Sequence, residues 1–144
     1  MTGVQTCALP ILRRDPLDTC VSCFLARFGV GHDYSYRPDW LAQAWRDYEA
    51  AGMHYSGLLG DAMLEVRYED LVTQPMREVR RLLDFVELSW NEDCLSPEKV
   101  EATSLTLSTA EVRRPISARS VGGWRRYRKR LAPLASALNV ELPD

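Results

Sequence analysis

Apolar residues recur along this chain at two periods, and the change of period marks its elements. Leu17, Val21, Phe24, Leu25 and Phe28 return every three or four residues, which gathers them on one face of a helix. Asp15 can cap that helix, Pro16 suits its first position, and Gly29 supplies the stop. The spacing therefore predicts a helix over 16–28, entered from a strand stub that starts at Leu12. A polar loop with Gly29, Gly31, Asp33 and Ser35 leads to a second, longer helix from Pro38 to Leu59. Leu41, Trp45, Tyr48, Gly52, Tyr55 and Leu59 keep helical spacing along it. After Gly60-Asp61 the pattern alternates through Tyr68, as a strand over 62–68 does, and Val79, Leu82, Leu83 and Val86 then mark a helix over 74–86. The stretch 88–108 reads as mostly irregular, with a short helix near 97–103. A basic helix over 123–130 and a last turn or two, opened by Pro133 and closed by Asn139, end the pattern. Two strands separated by helices predict an α/β domain with an incomplete parallel sheet.

Charge adds a candidate site. Arg14 stands at a strand end before the positive end of a helix, and Ser22 offers a hydroxyl on that helix, a combination suited to an anion. An ordinary strand–turn–helix with a solvated arginine fits the same residues. The net charge of −2 hides an uneven distribution: 113–130 holds eight basic residues and no acidic one. Such a run attracts phosphate-bearing ligands, and it also suits a solvated helix face. With 144 residues, 46% of them hydrophobic and 26% charged, the chain has room for one globular domain. No apolar run is long enough to span a membrane, and no signal peptide is visible. Cys20 and Cys23 form a C-x-x-C without a second ligand pair at metal spacing, so the cysteines read as small apolar residues of a reducing, cytoplasmic protein. Residues 1–11 do not share the pattern that follows, and are expected to be a non-native leader before a domain over 12–144.

Arg14-Asp15-Pro16-Leu17-Asp18-Thr19-Cys20-Val21-Ser22 resembles the 3′-phosphate-binding motif Arg-x-Pro-x-Asp-x-x-x-Ser of sulfotransferases that use 3′-phosphoadenosine 5′-phosphosulfate (PAPS). Its wording is similar to bacterial, tetratricopeptide-associated members and more distantly to tyrosylprotein sulfotransferases. Val66-Arg67-Tyr68-Glu69-Asp70-Leu71 resembles a second block of that family, and Val112 to Ile116 with Ser120 to Tyr127 a third. The resemblance implies that Arg14 and Ser22 hold the 3′-phosphate of PAPS and that Tyr68 contacts the adenine. Arg119, Ser120, Gly122 and Gly123 then fold over the same end of the cofactor. Two glycines free the backbone to approach an anion and turn successive N–H groups toward it. Gly123 stands where relatives carry a basic residue, and Arg119 is placed to replace that charge.

The implied reaction is transfer of a sulfuryl group from PAPS to an acceptor hydroxyl or amine on a P-loop-type parallel sheet. The family's glycine-rich 5′-phosphosulfate loop has no match in this sequence, and neither His32 nor His54 stands where the family keeps its catalytic base. The chain thus reads as a helix-rich C-terminal fragment with the 3′-phosphate half of the site, inactive alone, with no catalytic residue and no metal of its own. Neither nucleic acid nor membrane is expected as a partner, and the acceptor and oligomeric state are undetermined. Two other readings fit the residues: a basic nucleic-acid-binding module, and an interaction domain that docks through 38–59. One geometric requirement separates them from the phosphate site. Residues 119–123 must lie within about 15 Å of Arg14, the limit of arginine reach plus hydrogen bonding.

Overall fold

The computed structural model describes residues 8–26, 28, 31–99 and 114–142. The chain divides into two compact units, Met1–Arg13 with Asp61–Arg119, and Arg14–Gly60 with Ser120–Asp144.

The first unit is built on a parallel pair of strands, β1 (Leu9–Arg13) and β2 (Met63–Arg67), in register from Leu9 opposite Met63 to Arg13 opposite Arg67. Parallel strands need a long crossover, and here the chain between them supplies two helices. Pairing begins at Leu9, earlier than the expected start at Leu12 and inside the stretch 1–11 that the sequence pattern set apart. The strand β2 is one residue shorter at each end than the alternation suggests, because Tyr68 already opens a helix, α3 (Tyr68–Thr73). Glu69 and Asp70 lie in its first turn, where acidic side chains face the positive helix end. Pro75 begins the next helix, α4 (Pro75–Phe85), close to the expected 74–86. The helix is tied to β2 by Arg81, whose Nη2 donates to the Glu65 carbonyl at 2.9 Å. The expected short helix near 97–103 is a 3-10 turn over Pro97–Lys99, and its remaining residues lie outside those described.

Glu78 on α4 is 2% exposed and sits between two arginines, accepting from Arg81 at 2.7 Å and Arg77 at 2.8 Å. Hydrogen bonds from Arg81, then Arg77, hold its carboxyl below the usual carboxylate range against the opposing effect of burial. A depressed folded-state pKa stabilises above the unfolded value, and that contribution is lost as pH falls through the folded one. Glu78→Gln is therefore expected to cost about 1–2 kcal/mol at neutral pH, less than a fully buried pair because both guanidinium groups stay partly solvated. The difference from wild type should shrink in denaturation curves taken at acid pH.

The second unit is helical. Helix α1 (Pro16–Ala26) falls short of the expected 28, since Phe28 is not helical; Arg27 and Gly29, the expected stop, lie outside the described residues. Helix α2 (Pro38–Leu59) has the expected bounds. The basic segment Gly123–Arg130 is helical as expected, but wound as a 3-10 helix, and α5 (Ala132–Leu138) follows. Asn139 closes α5 in the left-handed conformation, φ 56°, which asparagine tolerates better than most residues. Leu17 and Cys20 of α1, Leu41 and Ala42 of α2, Trp124, and Leu134 and Leu138 of α5 form the core. Only the first turns of α2 reach it: Tyr48 and Tyr55, on the expected apolar face, are 39% and 53% exposed. Length explains the difference. A seven-residue α5 is about 10 Å long, and cannot cover a 22-residue helix of about 33 Å.

Candidate functional site

The site grows from the first turn of α1. Asp15 caps it: its Oδ1 accepts the Asp18 N–H at 2.8 Å, and its carbonyl accepts the Thr19 N–H at 2.9 Å. With the turn fixed, Asp18 lies on the inner side of the helix, 3% exposed between Leu17 and Cys20 of the core. A carboxylate in that position needs partners. It finds them more than a hundred residues on: Gly122 N–H donates to Oδ2 at 2.6 Å and Trp124 N–H to Oδ1 at 2.9 Å. Gly122 is left-handed, φ +66°, and a Cβ there would fall on the Arg125 guanidinium. Glycine is what lets the backbone turn its N–H inward. Trp124, 3% exposed, fills the core beneath.

Arg14 completes the cluster. Its Nη2 donates to the Ser120 carbonyl at 2.9 Å and stands 4.0 Å from Asp18 Oδ2. The requirement on Arg14 and residues 119–123 is met, since a direct hydrogen bond joins Arg14 to Ser120. One guanidinium, one buried carboxylate and the 120–124 backbone thus form a single connected network inside the second unit.

The remaining expected residues are placed as follows. Ser22 lies one turn beyond Asp18 on the same face of α1, exposed to solvent. Gly123 lies between the two amides that hold Asp18, with space for a Cβ 3.6 Å from Asp18 Oδ1. Tyr68 and Arg119 belong to the first unit. Tyr68 is half-buried at the C-terminal end of β2, and Arg119 is exposed in a 3-10 turn over Ala118–Ser120. The Gly122 N–H is donated to Asp18 inside the fold, where it holds the loop to α1.

Asp18 is the residue that sequence reasoning passed over, reading it only as a position of the Arg-x-Pro-x-Asp-x-x-x-Ser motif. A signal was present: an acidic residue flanked by core positions is rarely fully buried unless paired.

Of the described cysteines, Cys20 is buried and Cys23 half-buried on α1. Burial pushes the Cys20 thiol up to about 12, with smaller contributions from Cys23 and Asp15, and burial also raises Cys23 despite the opposing charge of Arg14. Cys94 is exposed. Alkylation near pH 8 should label Cys94 at least about tenfold faster than Cys20, because the thiolate is the reactive species. A folded pKa raised above 9.0 gives stability that is complete below that value, so the fold should weaken as pH rises from 9.0 toward about 12.

Residues 9–92, more than half the chain, match the sulfotransferase family. An uncharacterized protein of Aquifex aeolicus (strain VF5) is 32% identical over 130 residues, which cover 88% of this chain and 17% of that relative. The chain belongs to the sulfotransferase family. The matched region contains Arg14, Ser22 and Tyr68, and the 119–123 segment lies beyond it.

Proposed function

We propose that this chain carries the 3′-phosphate and adenine contacts of a PAPS-dependent sulfotransferase. The observation that supports this best is the Arg14–Ser120 hydrogen bond, which brings two motifs 106 residues apart to one guanidinium. Arg14 fits a phosphate. Its side chain is 25% exposed, and a guanidinium carries five N–H donors in a fork that matches a phosphate. Ser22 adds a solvent-facing hydroxyl on the face of α1 that carries Asp18. The Asp18 charge opposes an anion, but its two oxygens are already engaged by amides and face Arg14. In the second unit Arg14, Ser22 and the Ser120 hydroxyl would hold the 3′-phosphate, and Gly123 would let it approach the loop; the resemblance adds the charge of Arg119, which belongs to the first unit. For Tyr68, in the first unit, the resemblance gives the adenine contact, with a ring suited to packing and a hydroxyl suited to a base edge.

PAPS, when bound, supplies the sulfuryl group for an acceptor hydroxyl or amine. The part of this chain is to bind and orient: Arg14 neutralises charge on the 3′-phosphate and fixes the nucleotide in register, which is the positioning that in-line group transfer depends on. The family's glycine-rich 5′-phosphosulfate loop has no match in this sequence, and neither His32 nor His54 stands where the family keeps its base. The 144-residue chain is therefore expected to bind PAPS saturably and leave it intact. Equilibrium binding beside a sulfuryl-transfer assay checks both parts. Turnover by this chain would refute the division of labour, and an absence of binding would refute the site.

A further inference from the structure

A second feature of the helical unit lies outside the Arg14 network. A groove of about 390 Å³ runs between α1, the start of α2 and the segment that joins the basic 3-10 helix to α5. Its lining is carbon-rich, with Phe24 and Leu25 from α1, Leu41 from α2 and Leu134 from α5, and with Tyr127 and Arg130 from the basic 3-10 helix. Phe24, Leu25 and Tyr127 are 49%, 51% and 40% exposed, so the rim of the groove is wettable apolar surface above a floor of core side chains, Leu41 and Leu134.

The winding of the basic segment explains the composition of that wall. A 3-10 helix repeats every three residues, so Trp124, Tyr127 and Arg130 share one face. Trp124 is buried and turns that face inward, which brings Tyr127 and Arg130 onto the groove and leaves the other arginines on other faces. Arg130 is the single charged residue of the lining. Among the described residues no carboxylate pairs with it, and Arg126, Arg128 and Lys129 nearby raise the local positive potential. A volume in the range of small-molecule sites, apolar walls and one cation at the edge define the occupant by complementarity.

We propose that this groove binds a small amphiphile with an apolar body and an anionic head, the body on Phe24, Leu25, Leu41 and Leu134 and the head on Arg130 and Tyr127. The proposal does not depend on the nucleotide site. Decanoate is the probe, with decanol as its uncharged counterpart, and displacement of anilinonaphthalene sulfonate fluorescence from the full 144-residue chain is the readout. Decanoate should bind one to one and about tenfold more tightly than decanol, as loss of a charge-assisted contact implies. Arg130→Gln should remove that preference and leave decanol within about twofold of wild type, while Leu25→Glu should weaken both ligands. Leu25 and Arg130 are both exposed, and circular dichroism will show whether each variant keeps its helices. Equal affinity for decanoate and decanol would overturn the anionic head. Absence of decanoate binding to the folded chain, or binding insensitive to both substitutions, would overturn the groove. Displacement of the dye by an acidic amphipathic peptide but not by decanoate would overturn the small-molecule occupant in favour of a protein one.

Discussion

Asp18→Asn is expected to destabilise the helical unit by about 2–4 kcal/mol, the largest effect of any single substitution considered for this chain. The change keeps size and shape but replaces one acceptor oxygen with an N–H₂ group. Two backbone donors, from Gly122 and Trp124, converge on that carboxylate at 2.6 and 2.9 Å. An amide can accept only one of them, and its own N–H₂ would face the other donor in a site 3% exposed. Arg14 would also lose the negative charge 4.0 Å away. Asp18→Ala should cost a similar amount by leaving both amides without an acceptor. Urea denaturation followed by tryptophan fluorescence reads the loss, because Trp124 sits on the affected loop. A change below about 0.5 kcal/mol, the ordinary scatter of surface substitutions, would mean that Asp18 does not hold the loop.

Arg14→Ala should weaken PAPS binding by about 1.5–3 kcal/mol, the value of a charge-assisted hydrogen bond lost from a phosphate. Arg14→Lys should recover only part, since an ammonium cannot make the planar two-pronged contact. Arg14 also anchors the Ser120 carbonyl, so part of any loss could arise from a loosened loop. The two contributions separate experimentally. A loosened loop lowers stability without ligand, whereas a lost phosphate contact lowers affinity at unchanged stability. Isothermal titration with each variant, beside its denaturation curve, gives both numbers.

Much of the local structure was legible because short-range rules decide it. Asp15 and Pro16 start α1 by capping and by fixed φ, and α2 follows the spacing of its apolar residues from Pro38 to Leu59. Boundaries slipped where two elements compete for one residue. Tyr68 ends an alternating run and also opens α3, and sequence periodicity cannot show which backbone it adopts. The burial of α2 was not legible, because it depends on how much partner helix exists to cover it, which is a tertiary quantity. The same limit applies at the site. The family resemblance, not spacing, implied that Arg14 and the 119–123 segment meet, and the Ser120 contact agrees with it. That Gly122 would spend its N–H on Asp18 follows from α1 turning that carboxylate inward, a matter of helix orientation that no spacing encodes.

The most direct measurement of the central claim compares adenosine 3′,5′-bisphosphate with adenosine 5′-monophosphate. The two ligands differ by the one phosphate that Arg14 is proposed to hold. Wild-type protein should bind the bisphosphate at least about tenfold more tightly, and Arg14→Ala should bring the ratio close to one. Equal affinities in the wild type, or a preference that survives Arg14→Ala unchanged, would contradict the assignment of the 3′-phosphate to this site.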